Sequence, residues 1–420
     1  MNILLTINDI SITGGAERVC VNLANALCEC GHSVEIVSFY RKNHSLPYDT
    51  QAKLNFLYDF GEDILRTKML SNPLKRLYFK NLHKFILSLK IRRCYKNTHF
   101  IITNDWTFMP IFKRNNTRYI KIQHLRFEKY NKRNNLFDTI VILSGREMGR
   151  WQRYHSNVKV IPNFLPTIPQ VSTNHSQKVV LSIGRMDNGD QKGFLRLLDI
   201  WKIVRDSNTC HTERSEVSKP SESQIDSESM TQKRMGESHR FAQSKQIKND
   251  SKVAKMDSSL STKAQNDNMA NDLREWKLII VGDGVLKSEI ESKIRALNLG
   301  ESVLLKPFTK DIEREYLSAS IYAMSSHFEG FGMVLAEASS YALPCIAFDI
   351  ATGPSDIIEN NKSGFLVSDN DLQGYAEKII ALMNDESMRV RFGKEAKRIV
   401  SERFSKETIM NLWEKLFVDS

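Results

Sequence analysis

The chain has 420 residues, enough for two domains of the usual size, each able to bury its own core. It carries 60 lysines and arginines against 49 acidic residues, and the net charge of +11 indicates an anionic partner: nucleic acid, a membrane surface or a phosphorylated substrate. The 6 cysteines form no CxxC pair and no metal-ligand spacing, which argues against disulfides and zinc and indicates a reducing compartment.

The first half of the chain has the pattern of a doubly wound α/β domain. An apolar run at 2–8 is followed by the turn Thr13-Gly14-Gly15, a helical pattern at 16–30 and a second apolar run at 34–39. The amino terminus has no basic leader, and no stretch reaches the roughly 20 apolar residues that span a bilayer, so we expect a cytoplasmic protein. Further strands are predicted at 100–103, 119–123, 139–143 and 158–161, which gives an N-terminal Rossmann-like domain over 1–165.

A second α/β series follows a polar, proline-containing linker at 166–177. It predicts a C-terminal Rossmann-like domain over 178–400, and residues 401–420 are predicted to form a helix that returns to the N-terminal domain. Two such halves facing one another predict a ligand in the cleft between them. The strands of the second half are predicted at 179–183, 276–281, 303–305, 321–324 and 345–348, and its helices at 194–204 and 285–297.

Residues 207–272 interrupt this second series. They are rich in Ser, Lys, Gln, Asn and acidic residues, contain one aromatic side chain, Phe241, and show no sustained apolar period. The composition predicts a disordered insert at a surface connection, where added chain length has a small effect on stability. An inert insertion is favoured over a regulatory segment.

Two cations stand where a predicted strand meets a helix. Arg185 follows the strand at 179–183, and Lys192 precedes the helix at 194–204. Strand ends of this kind point into the cleft of an open sheet, so the two side chains can converge on one anion such as a diphosphate. Two solvated cations on a loop are the alternative.

The stretch Phe328-Glu329-Gly330-Phe331-Gly332 follows the strand at 321–324 and leads into a predicted helix. Free N–H groups at a helix start bind anions, and glycines let a ligand approach the backbone closely. Glu329 and Glu337 are suited to accept hydrogen bonds from hydroxyl groups, those of a sugar and of a vicinal diol such as ribose. A glycosidase also uses two carboxylates, but it needs no diphosphate site.

In this order the motifs resemble those of retaining glycosyltransferases of the GT-B fold, in particular family 4, whose signature is two glutamates separated by seven residues. The resemblance covers nearly the whole chain outside the insert. The matching positions are the glycine loop Gly14-Gly15-Ala16-Glu17-Arg18, the cleft histidine His124, the cations Arg185 and Lys192, the loop Val281-Gly282-Asp283-Gly284, and the pair Glu329 and Glu337.

The resemblance also implies roles for these residues. Glu329 contacts the donor sugar, and His124 stands near the reacting sugar. Glu337 binds the ribose. The donor diphosphate is bound by Arg185, Lys192, Gly15, Gly330, Phe331 and Gly332.

The chain departs from the family pattern in two places. The Arg185–Lys192 interval, RMDNGDQK, is a residue or two longer than usual, so the loop must bulge for both cations to meet the diphosphate. Phe164 stands where the family often has glycine.

No metal or other cofactor is expected, because fixed cations and helix N–H groups can stabilise the departing nucleoside diphosphate as a divalent ion would. The Asp369-Asn370-Asp371 triplet mimics the acidic metal motif of other glycosyltransferases. It precedes a helical pattern at 372–383, so a helix N-cap is the better interpretation.

The basic excess is concentrated in PLKRLYFKNLHKFILSLKIRRCYK at 73–96, whose leucines follow a helical period. Such a helix either lies on an anionic membrane or packs into the core with a solvated basic face. The family's lipid-linked or lipopolysaccharide acceptors favour peripheral membrane association. No nucleic-acid module is present in the sequence.

These motifs together predict a retaining, metal-independent glycosyltransferase. It would move a hexose or N-acetylhexosamine from a nucleotide sugar, UDP-linked by the resemblance of 351–358, to a lipid-linked or lipopolysaccharide-type glycan. A non-catalytic nucleotide-sugar binding protein is the alternative. A Rossmann oxidoreductase would need GxGxxG after the first strand, and TGGAER lacks it.

Overall fold

The computed structural model describes residues 1–64, 82–207 and 273–419, which form two α/β domains facing across a cleft. Each domain is built on one sheet in which all paired strands run parallel. Parallel strands need crossover connections, and these place helices on both faces of each sheet. The predicted fold class is confirmed.

The N-terminal sheet has seven strands in the order β3-β2-β1-β4-β5-β6-β7. The order reverses between β1 and β4, so their carboxyl ends open a crevice at that point. Helix α1 packs on β1 and β2 through Val19, Cys20 and Leu23, which are buried. The elements are β1 Asn2–Asp9, α1 Gly15–Glu29, β2 Ser33–Tyr40, β3 Lys53–Phe56, α2 His83–Cys94, β4 Phe100–Thr103, β5 Arg118–Gln123, β6 Thr139–Ile142, α3 Met148–Trp151 and β7 Val158–Val160.

The C-terminal sheet has six strands in the order β10-β9-β8-β11-β12-β13, with its reversal between β8 and β11. The elements are β8 Val179–Ile183, α4 Phe194–Ser207, β9 Lys277–Val281, α5 Lys287–Ala296, β10 Val303–Lys306, α6 Ile312–Leu317, β11 Ile321–Met324, α7 Met333–Ser340, β12 Cys345–Asp349, α8 Pro354–Ile357, β13 Gly364–Ser368, α9 Leu372–Asn384, α10 Glu386–Arg403 and α11 Lys406–Val418.

Helix α11 crosses back from the C-terminal domain to the N-terminal one. Its Phe417 ring lies 4.5 Å from the Phe100 ring, and Glu414 accepts a hydrogen bond from His32 at 2.6 Å. One apolar cluster therefore runs from the N-terminal sheet through α11 into the C-terminal domain. The two domains share part of their core.

Two predicted features fall partly outside the described residues. The predicted insert lies almost wholly in 208–272, and the first part of the basic helix lies in 73–81. The described part of that helix is α2, which buries Leu87 and Ile91 while Leu82 and Phe85 remain exposed. In the described ranges, no helix combines the length and the apolarity that crossing a bilayer requires.

Candidate active site

The predicted site residues lie at the carboxyl ends of strands on both sides of the cleft. Gly184 and Arg185 follow β8, and 325–332 connect β11 to α7. Across the cleft, His124 follows β5. Both sheets thus present their loops at the point where a doubly wound fold binds its ligands.

Glu329 is the most firmly held of these side chains. It is 6% exposed, and its Oε1 accepts hydrogen bonds from Lys192 Nζ at 2.6 Å and from Ser326 Oγ at 2.7 Å. Thr352 Oγ1 donates to the Glu329 main-chain carbonyl at 2.5 Å. The carboxylate is therefore fixed before any ligand arrives, and its negative charge is balanced by a cation from the β8–α4 loop.

The next residue, Gly330, lies against the opposite domain. A Cβ added there would come within 1.7 Å of the His124 carbonyl oxygen. Gly332, the N-cap of α7, has a left-handed φ of 91°, a conformation that suits glycine. The Phe331 side chain is buried edge to face against Phe404, with ring centroids 5.1 Å apart, so it can contribute to the cleft only through its main chain.

His124 is oriented by Asn104, whose Oδ1 lies 3.1 Å from His124 Nε2. Asn104 Nδ2 donates to the Thr6 carbonyl, which fixes the amide orientation and makes Nε2 the protonated nitrogen. Burial, reinforced by the nearby Lys121 ammonium, lowers the pKa of His124 to about 3. The imidazole is therefore neutral at physiological pH and cannot serve as a cation for the donor phosphates.

Glu337 forms an ion pair across the domains. Arg18 Nη2, from α1, donates to Glu337 Oε1, and Tyr316 OH donates to Oε2 at 3.0 Å. An open pocket of about 380 Å³ lies beside this pair and is lined by Tyr48 and Pro166 among others. The second glutamate of the sequence motif thus faces a cavity formed by both domains.

Arg185 does not take part in the ion pair between Lys192 and Glu329. Its guanidinium pairs with Asp187 at 3.0 Å, and its side chain is 62% exposed. It is close enough to Glu17 to affect the pKa of that carboxyl, which burial raises. Arg185 therefore lies toward the glycine loop that begins α1 at Gly15, and its guanidinium is accessible to a ligand.

The longer loop between Arg185 and Lys192 is accommodated by left-handed backbone conformations. Gly189, Asp190 and Gly193 all adopt positive φ values, 86°, 50° and 68°. Asp190 accepts hydrogen bonds from the Phe194 and Leu195 amides at 2.8 and 2.9 Å. The loop is thus closed onto the start of α4, which presents Lys192 to Glu329.

Several residues of this site were not predicted from the sequence. Ser326, Thr352 and Tyr316 bind the two glutamates, and single hydroxyl residues of this kind carry no sequence signal. Arg18 lay within a recognised motif without a role of its own. Lys121 had a signal: a lysine inside the apolar strand YIKIQ.

The Asp369-Asn370-Asp371 triplet has the structural role predicted for it. Asp371 caps α9 by accepting a hydrogen bond from the Gly374 amide at 2.8 Å. Asp369 forms an ion pair with Arg196 at 2.8 Å.

Comparison with known proteins gives matches of three kinds. Residues 231–399 match the family model "Glycosyl transferases group 1". The poly(ribitol-phosphate) alpha-N-acetylglucosaminyltransferase of Staphylococcus aureus is 35% identical over 141 residues, which are 34% of this chain and 29% of that relative. This chain therefore spans less than a third of that relative's length.

Two further matches extend over the whole chain. The GalNAc-alpha-(1->4)-GalNAc-alpha-(1->3)-diNAcBac-PP-undecaprenol alpha-1,4-N-acetyl-D-galactosaminyltransferase of Campylobacter jejuni is 24% identical over 99% of this chain and 97% of its own. The crystal structure of an S. aureus TarM mutant in complex with fondaparinux, alpha-GlcNAc-glycerol and UDP has a TM-score of 0.68 at 15% identity and covers 99% of both chains.

Residues 231–399 thus match a glycosyltransferase family model, and the two-domain architecture is that of GT-B glycosyltransferase structures. The family resemblance seen in the sequence is confirmed.

The contact between Gly330 and His124 gives a test of the domain arrangement. A Gly330→Ala substitution places a methyl group on the His124 carbonyl, so the two domains must shift apart. We expect a lower Tm, equivalent to about 1–3 kcal/mol of overpacking. Gly300→Ala is the control, because an added Cβ there meets nothing within 4 Å. Equal Tm values for the two variants in thermal denaturation would contradict this close approach.

Proposed function

We propose that the protein is a retaining, metal-independent glycosyltransferase that moves a hexose or N-acetylhexosamine from a UDP-sugar to a lipid-linked or lipopolysaccharide-type glycan. The observation that carries the proposal is the fixed Glu329 carboxylate, held by Lys192 and directly opposite the His124 backbone at Gly330. This arrangement joins a sugar-hydroxyl acceptor, a phosphate-binding cation and the facing domain at one point.

The donor is proposed to lie across the loop between β11 and α7. Its diphosphate is bound by Arg185, Lys192 and the free amides at the start of α7, with Gly15 on the facing loop. Glu329 accepts hydrogen bonds from the sugar hydroxyls, and Glu337 from the ribose. For Glu337 to do so, the nucleoside must lie beside the pocket that the Arg18 and Glu337 pair borders.

Charge stabilisation supplies the chemistry in this proposal. As the bond between the anomeric carbon and the diphosphate oxygen breaks, negative charge develops on the leaving UDP, and the fixed cations and amides stabilise it. The acceptor hydroxyl forms the new bond to the anomeric carbon on the same face, and its proton passes to the departing diphosphate. The neutral His124 can donate a hydrogen bond near the reacting sugar without adding charge.

Substrate classes come from the similar proteins. The Campylobacter relative is named for a PP-undecaprenol-linked acceptor, the first Staphylococcus relative for N-acetylglucosaminyl transfer, and the TarM structure contains UDP. These names support a UDP-linked donor and a lipid-linked acceptor for this chain.

Substitutions of the two charged partners at the donor site should have different effects on UDP binding and on turnover. Lys192→Ala should weaken UDP binding about tenfold or more, because a charge-assisted hydrogen bond to phosphate is lost. Glu329→Ala should lower the rate of sugar transfer or UDP release about 100-fold or more while UDP still binds. Calorimetry with UDP and coupled assays of UDP release across a panel of UDP-sugars measure both effects.

The controls remove the same charges from exposed helix positions. Lys394→Ala and Glu377→Ala lie on α10 and α9 and should behave as wild type. Unchanged turnover in Glu329→Ala would refute the mechanism. UDP-sugar binding without any turnover in the wild-type protein would favour the non-catalytic binding function.

Metal independence has its own test. Treatment with EDTA should leave UDP-sugar turnover unchanged, because Arg185, Lys192 and the α7 amides are proposed to neutralise the leaving group. Turnover lost in EDTA and restored by Mn²⁺ or Mg²⁺ would contradict this part of the proposal.

Peripheral membrane association is proposed from the exposed basic face of α2. Lys90, Arg92 and Arg93 are exposed there, beside Leu82 and Phe85. The full chain should float with anionic vesicles at low salt, and replacing the three cations by Gln should weaken binding by about 1 kcal/mol per charge.

The matched control removes three exposed cations, Lys310, Arg314 and Lys394, from the C-terminal domain. It loses the same net charge at a different place. Equal vesicle binding by the two triple variants would show that α2 is not the anchor.

A further inference from the structure

Lys121 lies in β5, and the residues before and after it are both isoleucine. It is 2% exposed, and its Nζ lies 5.3 Å from the centroid of the Trp106 ring. In the described part of the chain, no carboxylate lies within ion-pair distance of this ammonium group. A buried charge without a counterion is unfavourable, so the position calls for a partner that the described residues do not supply.

A second ammonium group reaches the same tryptophan from another element. Lys84, on α2, is half-buried, and its Nζ donates to the Trp106 carbonyl at 2.8 Å. Burial first, and then the nearby Arg133, lowers the pKa of Lys84. Burial lowers the pKa of Lys121 to about 7. Both shifts show that the protonated forms of the two amines are disfavoured here, so an anion beside them would stabilise those forms.

Both lysines are close enough to the Asp105 carboxylate for it to affect their pKa, and Lys84 is also affected by Glu62. The Asp105 carboxylate accepts a hydrogen bond from the Asn8 amide and another from the Thr107 amide at 2.7 Å. Asp105 therefore serves the backbone at the β1 and β4 crevice instead of pairing with either lysine. At the same place Asn8 Oδ1 is buried without a hydrogen-bond partner, so a polar acceptor atom is also unsatisfied.

We infer that Lys121 and Lys84, both in contact with Trp106, bind a phosphate group of the acceptor substrate. The described residues place no carboxylate in an ion pair with either lysine, so the two side chains can supply positive charge to a phosphate, and a hydroxyl of the same substrate can donate to Asn8 Oδ1.

The location separates this site from the donor diphosphate. Arg185 and Lys192 are on the C-terminal domain, whereas Lys121 and Lys84 are on the N-terminal domain. Lys121 is close enough to His124 to lower its pKa, so the phosphate would lie next to the reacting sugar on the acceptor's side. The inference rests on the proposed transferase function and specifies its acceptor as a phosphate-bearing molecule.

The test is thermal denaturation of the full chain with UDP at saturation, so that the donor site is filled, followed by titration with inorganic phosphate and with pyrophosphate. A ligand that binds the native state raises Tm with concentration. The wild-type Tm should rise further with these anions. Their apparent Kd should weaken at least tenfold in Lys121→Met and in Lys84→Met.

Lys159→Met is the matched control, because it removes the same charge from an exposed position of β7 in the same sheet. It should bind phosphate as the wild type does. Without phosphate, Lys121→Met should have a higher Tm than wild type, because a buried unpaired ammonium is replaced by an apolar side chain. If Lys121→Met does not fold, Lys84→Met decides the outcome.

The outcomes separate this inference from the proposed function. A Tm that does not respond to UDP contradicts the donor site whatever phosphate does. A response to UDP with no further response to phosphate, or with the same response in Lys121→Met as in wild type, overturns the acceptor site alone. Tighter binding of pyrophosphate than of phosphate assigns the site to a diphosphate-linked acceptor, and equal binding assigns it to a single phosphate.

Discussion

The contact of the His124 carbonyl with the Cα of Gly330 is the constraint on which the rest of the site depends. Backbone from the two domains meets there with no room for a side chain, so the distance across the cleft is set by main-chain atoms. Main-chain positions vary less than side-chain rotamers, and a reaction between two substrates needs its partners held within fractions of an ångström. Glu329 is adjacent to Gly330 in the chain, so this contact also fixes its backbone position.

The two glutamates of the cleft are both paired with cations. Each carboxylate of the motif has a cationic partner from a distant part of the sequence, Lys192 for Glu329 and Arg18 for Glu337. These pairs keep the glutamates oriented, and a donor bound there would exchange part of this pairing for its own phosphates and hydroxyls. At Lys121 the balance is reversed, because none of the described carboxylates forms an ion pair with this buried side chain.

The fold was predictable where burial makes the sequence pattern strong. The strands 179–183 and 321–324 were predicted to the residue, because each is a mainly apolar run that ends at glycine or a polar residue. The edge strand Lys53–Phe56 was missed, because two of its residues are polar and none is fully buried, so it does not form an apolar run. The sequence indicated which motif residues lie at the cleft, and the roles assigned to them stay predictions. Their pairing was not predicted, because Lys192 and Glu329 are 137 residues apart, and Arg18 and Glu337 are 319 apart.

The end of α4 lies next to the residues that lead into β9. The length of the chain between these two points therefore does not change the geometry of the cleft. Arg205, in the last turn of α4, donates to the carbonyls of Leu273 and Arg274 at 3.4 and 3.0 Å, just before β9. The chain therefore leaves α4 and returns toward β9 at one place, and the hydrogen bonds that close this gap belong to the flanking elements. This junction therefore suits the insertion of foreign sequence. A tag, a reporter domain or a binding peptide inserted there would leave both sheets in register.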